Sequence, residues 1–395
     1  MIVFTTLMVF GCIGFFVPKA YLKRYMFFSA VCISSLYFFY TPPMAYDLSR
    51  HYEFLHKIRN IDLRTLLSGE HESSNYVLNE YMDNSKVYLV YAYIISQFRV
   101  DALLPVITGI IIYCTVSKII IMSAKDIGGD IEDWKIAFCF FFLLMMTDFR
   151  TISGIRNMLA YALFAYVLYK DVVRNANKLF CFFAYFLFAN IHTSITILIV
   201  IRLLLGLEKI SPKWVLMIIA FLAFSFLDII IQPLSRMADV PFIHSLISKI
   251  NNYGHGGGTS YVLRRGVIRL FLTLIYLLLY LFVKRNKYLP DLYQKFSDFY
   301  LYYLLFTLGA IQQYDIFVRS NIILYFLIFP FMLSFLKHAV GERPNDLILS
   351  NHSIIGFTDV SVYLMICTAI FVSVALYLRE YYTPMDSGFL GLYQG

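Results

Sequence analysis

The chain has 395 residues, of which 60% are hydrophobic, 18% aromatic and only 15% charged. A soluble domain carries about 25% charged residues, so a water-exposed globular enzyme is excluded. The formal net charge of +8 is scattered through short loops between apolar runs, which excludes a nucleic-acid-binding face.

A bilayer crossing needs about 20 apolar residues. Runs of that kind lie near 1–17, 25–40, 101–122, 134–150, 151–169, 178–191, 193–207, 214–233, 262–283, 297–313, 319–338 and 360–378. The sequence therefore predicts an all-α, polytopic integral membrane protein of about twelve transmembrane helices. It reads as a single transmembrane bundle over 1–395, with outer loops at 41–85 and 234–261. The first run has no basic n-region and no cleavage site, so it reads as a retained span with an outer N-terminus. Lys19, Lys23 and Arg24 follow it. With that start, the basic loops face the cytoplasm, as the positive-inside rule requires. The run at 86–98 is left over and predicts a re-entrant or interfacial helix. The stretch 178–207 reads as two short helices meeting at His192. Six cysteines lie inside apolar runs, at spacings that offer neither a disulfide frame nor a zinc site, and they read as buried thiols.

On this topology twelve of the seventeen arginines lie outside or near the outer end, with only three of the sixteen lysines. Arginine is the cation of bidentate phosphate contacts, so the outer face reads as built to hold a phosphate or pyrophosphate. The first outer loop begins TPPMAYDLSRHYEFLHKIRN, where Asp47, Arg50, His51 and Phe54 share one helical face. That face predicts an interfacial helix presenting Asp47 and Arg50 to the bundle. His51 and His56 sit about 140° apart on a helix and do not chelate a metal together. The string Asp126 to Trp134 reads as a solvated acidic turn.

The stretch from Thr151 to Ile201 holds the strongest signal. Arg156 opens an apolar helix, a basic loop follows, and Asn190, His192, Thr193 and Ser194 interrupt the next apolar run. Ionisable groups at such depth are costly and are functional-site candidates by default. Beyond the Gly-rich segment ending at Gly258, Arg264 and Arg265 enter a helix from the outside, with Arg269 a turn deeper. Gln312 to Asp315 form an outer turn before Arg319, and Tyr325 lies further along the same helix.

These residues have a recognisable order. An outer D-x-x-R-x-Y (Asp47, Arg50, Tyr52) is followed by Arg-Asn at a helix start (Arg156, Asn157). Then come H-x-S (His192, Ser194), the Arg264–Arg265 pair and an R-x5-Y (Arg319, Tyr325). Together they resemble the EpsG-like branch of the Wzy-type polysaccharide polymerases, over residues 1 to about 385. The resemblance implies a GT-C-like glycosyltransferase in the bacterial inner membrane with its site facing the periplasm or exterior. It implies metal-independent, inverting polymerisation of undecaprenyl-pyrophosphate-linked repeat units, as in O-antigen or exopolysaccharide biosynthesis. Donor and acceptor glycans are the implied partners, beside membrane lipids and a chain-length regulator. No cofactor and no metal are called for.

In that chemistry Arg156 and Arg319 stabilise the departing pyrophosphate, and Arg264 and Arg265 grip the phosphates. His192 is the first choice of base, because imidazole titrates near neutral pH, and Asp47 is the second. Arg50, Tyr52, Asn157, Ser194 and Tyr325 contribute to substrate binding. A lipid-linked oligosaccharide flippase, an O-antigen ligase with the same donor, and a membrane O-acyltransferase are the alternative readings. The first predicts internal repeats, which the sequence lacks.

Overall fold

The computed structural model describes residues 2–40, 42, 47–68, 85–128, 131–207, 212–225, 259–312 and 314–341. Every regular element among them is a helix. The predicted span at 360–378, Cys367, residues 41, 43–46 and 69–84 of the first outer loop and 234–258 of the second, with Gly257, lie outside the described residues.

The helices are α1 (Ile2–Gly14), α2 (Lys19–Leu36), α3 (Asp47–Ile58), α4 (Leu63–Ser68), α5 (Lys86–Ser96), α6 (Leu103–Asp126), α7 (Asp133–Ser153) and α8 (Ile155–Val172). They continue with α9 (Lys178–Ala189), α10 (Ile195–Leu207), α11 (Lys213–Ser225), α12 (Thr259–Arg285), α13 (Gln294–Gly309), α14 (Tyr314–Leu327) and α15 (Phe329–Gly341). The chain divides into two compact units. The first takes the chain through Ile197 and the segment Met332–Lys337, and the second takes Leu198–Phe331.

One helix, α6, is long and apolar enough to cross a bilayer by itself. The α14–α15 pair meets that standard only as a broken span bent by 49°. Twelve full crossings are therefore more than the described helices provide by length and hydropathy. α9 and α10 have 12 and 13 residues, which at 1.5 Å per residue fall well short of the ~30 Å hydrocarbon core.

Several boundaries shift for physical reasons. α2 begins at Lys19, right after Pro18, and the backbone N–H of Lys19 donates to Asp133 Oδ2 at 2.8 Å. The basic cluster expected in a loop is therefore helical. The break expected near residue 150 falls at Gly154, whose non-helical backbone (φ −139°, ψ 52°) precedes α8 as its N-cap. The acidic string is not simply solvated. Asp126 accepts two hydrogen bonds from Arg174, at 2.7 and 2.9 Å, and one from the Tyr169 hydroxyl at 2.9 Å. Among the cysteines, Cys139 and Cys181 are buried, but Cys12 is exposed.

In the first unit α6 packs on α2, α7 and α8, and α9 packs on α8. The α8–α9 turn is held by a polar clamp. Asp171 is wholly buried and accepts from Lys178 Nζ at 2.7 Å and from the Tyr185 hydroxyl at 3.0 Å. Asn177 caps α9 by accepting from the backbone N–H groups of Leu179 and Phe180, two of the donors that a helix start leaves unpaired.

In the second unit α11 lies so close to α13 that a Cβ on Gly309 would meet the Phe221 carbonyl oxygen at 2.0 Å. The glycine is required by that approach. Gly309→Ala is expected to lower stability by about 1–3 kcal/mol through overpacking. Gly206→Ala, whose Cβ would meet nothing within 4 Å, is the matched control, with an unchanged or slightly raised melting temperature in detergent.

Candidate functional site

Four ionisable or polar side chains line up in the first unit, and two of them are predicted site residues. The hub is Tyr88, wholly buried on α5. Its hydroxyl lies 2.8 Å from His51 Nδ1, and the two rings meet edge to face at 5.4 Å. Phe54, one turn on from His51, stacks on Tyr88 at 6.4 Å. On the far side of His51, Nε2 stands 3.4 Å from Asp47 Oδ2. The guanidinium of Arg156 lies over the Tyr88 ring, 5.7 Å from its centroid. Asp47, His51, Tyr88 and Arg156 thus form one continuous row drawn from α3, α5 and α8.

The geometry assigns the protons. A carboxylate beside Nε2 favours hydrogen on that nitrogen, which leaves Nδ1 to accept from the Tyr88 hydroxyl. The Tyr88 hydroxyl meets the imidazole at hydrogen-bond distance, whereas Nε2 faces the Asp47 carboxylate at 3.4 Å without the geometry of a hydrogen bond. His51 is wholly buried while Asp47 is 41% exposed, so the row leads from the interior to an accessible carboxylate. On its other side, Tyr88 presents an electron-rich face to a guanidinium, a contact that holds the cation without consuming an N–H group.

Other predicted residues fall differently. Arg50 is exposed on α3, so the expected inward-facing Asp47–Arg50 pair reduces to Asp47 alone. His51 and Phe54 take the inner face instead. The Tyr52 hydroxyl and Asn157 Oδ1 are both buried without a hydrogen-bond partner. Burial pushes the Tyr52 phenol up from its ordinary pKa, and the nearby Asp101 carboxylate adds to the effect. Tyr52 therefore stays a neutral donor at any physiological pH. Beyond it, Asp101 pairs with Arg59 at 2.6 Å and with His56 at 2.7 Å, tying the end of α3 to the segment before α6.

His192 sits in the turn between α9 and α10. Its Nδ1 lies 2.7 Å from the Ser194 hydroxyl and accepts the Ser194 backbone N–H at 3.2 Å. A backbone amide can only donate, so Nδ1 is an acceptor and a neutral ring carries its proton on Nε2. The Nδ1 lone pair is engaged in shaping the start of α10. The H-x-S spacing reads here as a local turn-forming unit.

In the second unit Arg319 is half-buried on α14, and Tyr325 is wholly buried with its ring edge-on to Tyr276 at 6.1 Å. Six residues apart on a helix, they project about 120° from each other. The sequence reading missed the polar pair between α12 and α14. The Thr273 hydroxyl lies 2.6 Å from Asn321 Oδ1, and Asn321 Nδ2 donates to the Phe317 carbonyl at 2.9 Å. Arg269, one turn before Thr273, is buried. The side chains of Arg264 and Arg265 lie outside the described residues. Among the described residues no cluster of three or more metal-ligating side chains occurs.

Scans against protein-family models, curated proteins and solved structures returned no match.

His51 and Tyr88 were legible in part. The i, i+3, i+4 face of α3 contained His51, but no spacing rule linked it to Tyr88, 37 positions away. Tyr88→Phe keeps the ring under Arg156 and removes the hydroxyl from His51. A loss of about 1–3 kcal/mol is expected, the cost of a buried acceptor left unsatisfied, read as a lower melting temperature in detergent. Tyr91→Phe, which removes a hydroxyl bonded to Thr108 at 2.7 Å, compares a neutral pair with the imidazole pair.

Proposed function

We propose that the chain is a multi-pass inner-membrane glycosyltransferase of the Wzy type, with a GT-C-like arrangement of about twelve crossings or half-crossings. It would polymerise undecaprenyl-pyrophosphate-linked repeat units on the outer face, without a metal. The observation that carries this reading is the Asp47–His51–Tyr88–Arg156 row, because it joins a carboxylate and a guanidinium through a buried relay. Glycosyl transfer from a lipid pyrophosphate needs both charges. An acceptor hydroxyl must lose a proton, and the leaving pyrophosphate must gain countercharge as the anomeric bond breaks.

Asp47 is the base in this scheme. Its carboxylate is accessible, and His51 Nε2 stands behind it at 3.4 Å. This reverses the order of the two base candidates, since the His192 Nδ1 lone pair is occupied by its own turn. Arg156 supplies countercharge to the departing diphosphate, and its contact with Tyr88 keeps the guanidinium in a fixed plane. Fixed donors of this kind stabilise developing oxyanions without reorganising during the reaction. Tyr52 and Asn157 carry buried polar atoms without partners, which suits them to sugar hydroxyls. The remaining roles rest on the family resemblance alone: phosphate binding for Arg319, Arg264 and Arg265, and substrate binding for Arg50, Ser194 and Tyr325.

The test is polymer formation from purified lipid-linked repeat units. Arg156→Ala and Asp47→Asn are each expected to lower the rate by about 10²–10³, the usual cost of one such donor or its equivalent. His192→Ala is expected to retain most activity. Wild-type chain length and rate in both Arg156→Ala and Asp47→Asn would remove the mechanism. Transport of the lipid-linked unit without bond formation would replace the transferase with a flippase.

A further inference from the structure

α6 is the described helix best suited to cross a membrane, and it carries Lys118 well inside its length. Eight residues separate Lys118 from the helix end at Asp126, a rise of about 12 Å. A lysine at that depth must reach an interface or find an anion. Its ammonium lies over the ring of Tyr166, 6.0 Å from the centroid. Lys170, one turn further along α8, lies over the same ring at 5.2 Å. Two ammonium groups therefore share one phenol.

Neither has a carboxylate. The two acids at this end of α6 and α8 are already engaged. Asp126 is held by Arg174 and Tyr169, and Asp171 by Lys178 and Tyr185. Lys118 and Lys170 form no ion pair among the described residues. A ring face recovers only part of what it costs to keep a lysine inside an apolar span, and here it is divided between two. The pairing of 118 with 166, and of 126 with 169 and 174, also shows that α6 and α8 run in parallel. Both lysines thus belong to the same end of the unit.

The surroundings point to the source of the anion. Lys118 is exposed on the outside of the packed unit. It projects from the helix of bilayer-spanning length, so the anion nearest to it in a membrane is a lipid headgroup. We infer that Lys118, Lys170 and Tyr166 bind the phosphate of an anionic phospholipid, with both ammonium groups and the phenol hydroxyl donating to its oxygens. The site is independent of the transferase reading and uses none of its residues.

The experiment compares the full-length protein, wild type and Lys118→Gln/Lys170→Gln, in phosphatidylcholine nanodiscs with and without phosphatidylglycerol. Bound lipid is read by native mass spectrometry and stability by melting temperature. Phosphatidylglycerol should remain bound to the wild type and raise its melting temperature. Each lysine removed should weaken retention about fivefold, the usual effect of one basic residue at an anionic surface. Lys287→Gln, an exposed lysine of the second unit, controls for net charge and should retain lipid like the wild type. Inorganic phosphate in phosphatidylcholine discs separates a lipid from a soluble anion. Equal phosphatidylglycerol retention by wild type and double variant overturns the inference, and so does stabilisation by inorganic phosphate alone as large as that by the lipid.

Discussion

The hydrogen bond between the Tyr88 hydroxyl and His51 Nδ1 fixes more of the candidate site than any other contact. It joins α3, a helix with a polar outer side, to α5, a short apolar helix. Both partners are wholly buried, so neither can exchange the contact for water. Once it forms, His51 must turn its other nitrogen toward Asp47, and the Tyr88 ring must turn a face toward Arg156. One buried bond therefore links the placing of the Asp47 carboxylate to that of the Arg156 guanidinium.

The same reasoning separates this row from the arginines of the second unit. Arg156 rests on an aromatic face that is itself held by a hydrogen bond. In the second unit the polar contact nearest Arg269, between Thr273 and Asn321, ties α12 to α14 through neutral groups. That contact sits one turn beyond Arg269 and leaves the helix pair with a fixed register. Its neutral partners make it a packing device, whereas the row in the first unit carries charge at both ends.

The sequence made the class of fold legible because apolar runs and punctuation are local signals. The break at His192, the start of α8 beside Arg156, and the leftover helix at 86–96 were all readable from residues within one or two turns. Span counting did worse. Hydropathy windows merge a helix with its flanks, so α9 and α10 read as crossings although each has too few helical residues to span a bilayer alone. The face of α3 was half legible. Periodicity grouped Asp47, Arg50, His51 and Phe54, but exposure split the group, with Arg50 outward and His51 inward. Which of two adjacent polar residues turns inward depends on the partner it finds, and here that partner was a tyrosine 37 positions away.

Charge bookkeeping by topology also had a blind spot. Sorting lysines to the cytoplasmic side explained Lys118 and Lys170 as orientation signals, and nothing in the spacing contradicted that. What distinguishes them is that their neighbours are spoken for. Among the described residues Arg174 and Lys178 hold Asp126 and Asp171 at short distance, which leaves Lys118, inside α6, and Lys170, in the last turn of α8, on the Tyr166 ring. A pure orientation signal needs charge only at the helix ends, where hydration costs least, and Lys118 lies eight residues inside α6. Two ammonium groups without a carboxylate on one phenol cost stability unless something anionic completes them, and beside a membrane-spanning helix the bilayer is the nearest supply.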